Sequence, residues 1–72
     1  IDAWFEEKDG LVIVDYKTDR VKEGEDQTLL DHYQVQLQYY ARALSQITGK
    51  RVKEAVIYSL TIQKEINVPI GQ

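Results

Sequence analysis

The dipeptide Asp9–Gly10 constrains the fold of this chain more than any other feature. It separates two β-prone runs, "IDAWFEEK" and "LVIVDYK". Asp and Gly both tolerate positive φ, and Asp-Gly between such runs is a strong short-range hairpin signal. In residues 1–8, Ile1, Ala3 and Phe5 point to one side, and Asp2, Trp4 and Glu6 to the other. Residues 11–17 form the expected second strand, because Val, Ile and Tyr favour extended structure. That strand ends on charge. Asp15 and Lys17 are two residues apart and therefore share a face. An unpaired buried carboxylate or ammonium is costly, so the two charges need partners.

Beyond the hairpin, "TDRVKEGED" at 18–26 is charged, carries Gly24 and is expected as a loop. A helix is expected over about 27–48. Thr28 and Asp31 resemble a capping box at its start, and Gly49 suits its C-terminal cap, with Lys50 and Arg51 beyond the negative end of the dipole. Leu30, Tyr33, Leu37, Tyr40, Leu44 and Ile47 recur at steps of three and four, one apolar stripe of an amphipathic helix. "EAVIYSLTI" at 54–62 is expected as a third strand. "EINVPI" at 65–70 fits a short edge strand, where Pro69 need not donate to a ladder. The helix is long enough for a right-handed crossover between parallel strands. The expected fold is α/β: a mixed sheet with an N-terminal β-hairpin, a long crossover helix and a third strand.

Seventy-two residues allow one domain, spanning 1–72, with a small core. There is no cysteine, which excludes a disulfide or thiolate metal site and fits a reducing compartment. No signal-like or membrane-length apolar run is present. The chain lacks Met and opens in mid-pattern, so it is expected to be a fragment of a longer, soluble, intracellular protein. The net charge of −3 is not the footprint of a protein that holds nucleic acid by bulk positive charge. It leaves room for an enzyme that meets phosphate through a bound cation, since a metal can be the largest local charge in a site.

The hairpin supports a register argument. With Asp9 and Gly10 as the loop, Lys8 faces Leu11, Phe5 faces Val14, Trp4 faces Asp15 and Asp2 faces Lys17. Asp2, Asp15 and Lys17 then share one face at the open end of the hairpin. A one-residue slip would reverse the faces. Two carboxylates suit Mg²⁺ or Mn²⁺, with Lys17 beside them to orient a water or meet developing negative charge. An Asp opposite a Lys is, however, most often a surface ion pair worth about 0–1 kcal/mol.

In "YQVQLQYYARAL" three glutamines interleave the aromatics. Gln36 lies about 40° from Tyr40 around the helix, at the margin of the apolar stripe, where both could look toward the charged end of the hairpin. Gln34, Gln38 and Tyr39 are expected to be solvated or peripheral. His32 is expected to be a partly exposed helix residue.

An Asp on one strand, "DYK" on the next and Q-x-x-x-Y on the following helix resemble the RecB-type nuclease branch of the PD-(D/E)XK superfamily. The resembling segments are "ID" at 1–2, "EEKDGLVIVDYKTDRV" at 6–21, "YQVQLQYYARAL" at 33–44 and "GKRVKEAVIYSL" at 49–60. The resemblance implies a truncated restriction-endonuclease-like core. It makes Asp2 and Asp15 the metal-binding aspartates, the backbone carbonyl of Tyr16 a further ligand and Lys17 the catalytic lysine. Gln36 and Tyr40 would support the site and contact DNA. The implied activity is Mg²⁺-dependent phosphodiester hydrolysis, with Mn²⁺ as the alternative ion. The enzyme would be an exonuclease acting on a single DNA strand delivered by a linked helicase in double-strand break repair. The implied partners are DNA and a second helicase–nuclease subunit. ATP would serve only the helicase part, the setting would be the bacterial cytoplasm, and no membrane is involved. The family places a helix with a His or Glu metal ligand ahead of the first strand. This chain starts at Ile1 without it, and His32 is not a substitute by position. The alternatives are a non-catalytic module of the same fold that binds DNA or a partner, and an α/β interaction domain with a surface salt bridge.

Overall fold

A computed structural model describes residues 2–70. Ile1, expected in the first strand, lies outside the described residues. The element order is β1 (Ala3–Glu7), β2 (Gly10–Lys17), α1 (Asp26–Thr48), β3 (Val52–Ser59) and β4 (Lys64–Asn67). The strands form one sheet in the order β1-β2-β3-β4. β1–β2 and β3–β4 are antiparallel, and β2–β3 is parallel through the α1 crossover. The fold is the mixed α/β sheet expected.

One sheet face is covered by the helix. Leu11 and Ile13 of β2, Val52, Ala55 and Ile57 of β3, and Ile66 of β4 pack there against Leu29, Leu37 and Ala41. The helix starts near one sheet edge, where Asp26 pairs with Lys64 of β4 at 2.6 Å. It ends near the other, where Lys50 pairs with Glu6 of β1. It therefore crosses the sheet diagonally. Among the described residues, no helix is long and apolar enough to cross a membrane.

Several local expectations are corrected. The hairpin loop is Lys8–Asp9, not Asp9–Gly10: Glu7 pairs with Gly10, Phe5 with Val12 and Trp4 with Ile13. Gly10 is needed inside the strand. Leu11 N–H bonds the Arg51 carbonyl at 2.8 Å, and a Cβ on Gly10 would stand 2.9 Å from that same oxygen. β3 runs Val52–Ser59 rather than 54–62. Val52 pairs with Leu11 and a bulge sets Lys53 aside, while residues 60–63 turn toward β4. β4 stops at Asn67, ahead of Pro69, although Val68 N–H still reaches the Ala55 carbonyl.

The Thr28–Asp31 capping box does not form, because the helix begins earlier, at Asp26. Asp31 instead accepts a hydrogen bond from the Gln27 amide. Gly49 is the C-cap, with φ of 70° and its N–H bonded to the Ser45 carbonyl. The stripe is centred on Leu29, Leu37 and Ala41, and Ile47 is 82% exposed.

Candidate active site

The apolar residues of β2 bury one by one until charge replaces them on the same face. Leu11 and Ile13 are fully buried, and Asp15 next in that row is only 6% exposed. A carboxylate so withdrawn from water requires compensation. Lys17 supplies it, with Nζ 3.0 Å from Asp15 Oδ2. The same Nζ lies over the Tyr33 ring, 3.9 Å from its centroid. The Tyr33 hydroxyl donates to the Asp19 carboxylate, 2.8 and 3.1 Å from its two oxygens. That bond raises the Tyr33 pKa above its ordinary value of 10.0.

Asp2 reaches the same place from the start of β1. Ala3 pairs with Val14, so the observed register carries Asp2 beside Asp15 rather than opposite Lys17. The two-residue shift leaves every face unchanged, because side chains alternate with a period of two. Asp2, Asp15 and Lys17 therefore share the helix-side face as the sequence indicates. Asp2 is exposed and accepts the Tyr16 backbone N–H at 2.7 Å. This bond holds Asp2 below the ordinary Asp value of 3.8.

The Tyr16 N–H points toward β1, and in an extended strand the C=O of the same residue points the same way. The Tyr16 carbonyl thus faces the side from which Asp2 approaches, while its ring, on the far face, packs edge-on to Tyr58. Among the described residues, no three acidic, His or Cys side chains gather as a metal site. The oxygens that could serve a cation here would be the Asp2 and Asp15 carboxylates and the Tyr16 carbonyl. Those hard oxygen donors fit Mg²⁺ or Mn²⁺, which commonly take one or two carboxylates and keep several waters.

The helix residues sort differently from expectation. Gln36 is exposed and its side chain makes no hydrogen bond among the described residues, and Tyr40 is half-buried with its ring against Tyr39. No hydrogen bond or ion pair joins either of them to Asp15 or Lys17 among the described residues. Tyr33 does meet Lys17, although its spacing marked it only as part of the core stripe. Gln38, expected to be peripheral, donates to the Pro69 carbonyl at 2.7 Å and ties α1 to the end of β4. Tyr39 and His32 are exposed as expected.

The profile of the PD-(D/E)XK nuclease superfamily matches residues 1–70. The chain is 48% identical over 68 residues to an ATP-dependent helicase/nuclease subunit from Clostridium perfringens, covering 94% of this chain and 5% of that protein. It is 53% identical over 68 residues to the protein of that name from Lachnoclostridium phytofermentans, covering 94% of this chain and 5% of that one. With the Acetivibrio thermocellus protein of the same name, identity is 57% over 58 residues, covering 81% and 5%. The chain thus spans about one-twentieth of the length of these relatives. The profile match over residues 1–70, with these identities, shows that this chain belongs to the PD-(D/E)XK nuclease superfamily.

Proposed function

We propose that this chain is the catalytic core of a metal-dependent deoxyribonuclease, an exonuclease of the AddA type joined to an ATP-dependent helicase. The observation that carries this reading is the gathering of Asp2, Asp15 and Lys17 on one sheet face, with Lys17 Nζ 3.0 Å from Asp15. Asp2, Asp15 and the Tyr16 carbonyl would hold the ion. When bound, Mg²⁺ or Mn²⁺ supplies Lewis-acid polarisation of a phosphoryl oxygen and a more acidic water.

The chain's own groups do the remainder. Asp2 stays ionised because the Tyr16 N–H stabilises its charged form. Lys17, anchored between Asp15 and Tyr33, keeps N–H donors for an attacking water or a non-bridging phosphate oxygen. Gln36 and Tyr40 lie further along the helix, with Gln36 open to solvent, and are assigned to support of the DNA strand.

The substrate would be single-stranded DNA delivered by the helicase, in double-strand break repair in the bacterial cytoplasm. A second helicase–nuclease subunit would complete the assembly, and ATP would act only in the helicase. The link to a helicase is supported by the named relatives, each described as a subunit of an ATP-dependent helicase/nuclease; the repair setting, the location and the second subunit extend the proposal beyond those names. The test uses the full-length protein. Asp15→Ala and Lys17→Ala are each expected to abolish Mg²⁺-dependent DNA cleavage while ATP hydrolysis persists. Retained cleavage in both variants would reject the proposal, and absence of cleavage by the unsubstituted full-length protein would favour a non-catalytic module.

A further inference from the structure

We propose that Tyr33 and Asp19 are a positioning pair for Lys17, in which the Tyr33 ring fixes the ammonium and Asp19 fixes the ring. The inference rests on the nuclease reading above and adds residues to it. Lysine ends in a compact ammonium on a flexible four-carbon stem, so a single ion pair leaves its position loosely set. Here Nζ has two fixed neighbours, Asp15 Oδ2 at 3.0 Å and the face of the Tyr33 ring at 3.9 Å.

An aromatic face attracts the cation without taking one of its N–H donors in a conventional hydrogen bond. A carboxylate in its place would compete for those donors. The Tyr33 hydroxyl engages both Asp19 oxygens, at 2.8 and 3.1 Å. The acidic loop residue is thereby engaged by a hydroxyl rather than by the ammonium.

The support is anchored at both ends. Tyr33 packs against the core on α1. The Asp19 carbonyl accepts the Thr61 hydroxyl at 3.0 Å. Thr61 Oγ1 also accepts the Val21 N–H at 3.4 Å and lies 3.2 Å from Ser59 Oγ. Ser59 is fully buried and is the register partner of Lys17 on β3. The contacts run from Lys17 through Tyr33, Asp19 and Thr61 back to the residue beside Lys17. The 18–25 loop and the 60–63 turn thus both brace the lysine.

The test uses the full-length protein, with kcat and KM for Mg²⁺-dependent cleavage of single-stranded DNA and Mn²⁺ affinity by calorimetry. Tyr33→Leu removes the ring face and is expected to lower kcat about 3- to 30-fold, the range a cation–π contact spans. KM and Mn²⁺ affinity are expected to change less than about twofold, because Asp2 and Asp15 remain in place. Tyr33→Phe keeps the ring without its tie to Asp19, and is expected to recover part of that loss. Asp19→Ala, which leaves the helix core intact, is expected to lower kcat to the level of Tyr33→Phe with KM unchanged.

Wild-type kcat in Tyr33→Leu overturns the proposal, as does a raised KM at unchanged kcat, which would mark a DNA contact. Wild-type kcat in Asp19→Ala also overturns it, and that result stands if Tyr33→Leu does not fold. Asp15→Ala run in parallel separates the two levels. If it still cleaves DNA, the nuclease reading fails. If it is inactive while Tyr33→Leu and Asp19→Ala are unimpaired, only the positioning pair fails.

Discussion

The Asp2 carboxylate accepts the Tyr16 backbone N–H at 2.7 Å, so a side chain just ahead of β1 fills a bonding position on the edge of β2. That bond locks Asp2 next to Asp15, so its role as structural acceptor can be separated from the proposed role of its charge as a donor to a metal. Asp2→Asn keeps an acceptor oxygen but loses the charge. It is expected to retain the wild-type unfolding midpoint while metal-dependent cleavage falls at least about 100-fold. Asp2→Ala is expected to lose cleavage and to lower the midpoint as well. Urea unfolding followed by Trp4 fluorescence, beside a cleavage assay, checks both.

Lys53 bridges the hairpin tip to β3, with Nζ 2.7 Å from Glu7 and 2.6 Å from Asp9. The hydrogen bonds to Asp9 and Glu7 push its pKa up, and the bond from Lys53 pulls Asp9 below 3.8. The sign follows for each. The depressed Asp9 contributes stability that is present above its unfolded value of about 3.9 and is lost as pH falls through the lower folded value. The raised Lys53 contributes stability present below about 10.4 and lost as pH rises through its folded value. Asp9→Asn is expected to weaken the acid limb of a stability–pH profile, and Lys53→Met to weaken both limbs. Urea midpoints measured across the pH range test this.

Gly10 and Gly49 differ in what surrounds them. Gly49 has φ of 70°, and a Cβ added there would find nothing within 4 Å, whereas a Cβ at Gly10 would meet the Arg51 carbonyl at 2.9 Å. Gly49→Ala is expected to cost about 1 kcal/mol, the penalty of the left-handed conformation alone. Gly10→Ala is expected to cost more, about 2–3 kcal/mol, because the obstructing atom is backbone and cannot swing aside. Chemical denaturation of the two variants gives the comparison.

Leu37 is fully buried and Ile47 is 82% exposed, although spacing placed both on one stripe. Leu37→Ala is expected to cost about 2–5 kcal/mol through the cavity it leaves. Ile47→Ala is expected to stay within about 0.5 kcal/mol of wild type. Equal losses in the unfolding midpoint would contradict the observed burial.

The hairpin, the crossover helix with its glycine cap, and the common face of Asp2, Asp15 and Lys17 were legible in the sequence. They depend on local propensity and on a period of two that survives a two-residue error in register. The register itself was not legible, because Gly10 is withheld from the turn by the Arg51 carbonyl, which belongs to the far side of the crossover. Tyr33 was likewise read as core, since nothing in its spacing shows that the Lys17 ammonium comes to rest on its ring.

Leu29 and Ile47 show where sequence stops. They are eighteen residues apart, about five full turns at 3.6 residues per turn, and so point the same way from the helix axis. Leu29 is fully buried and Ile47 is not. Periodicity fixes the direction in which a side chain leaves its own element. What lies in that direction depends on the diagonal path of α1, from Lys64 at one sheet edge to Glu6 at the other. The sequence by itself determined which residues share a face. Only the tertiary structure decided which of them meet, because contact is set by chain segments distant in sequence.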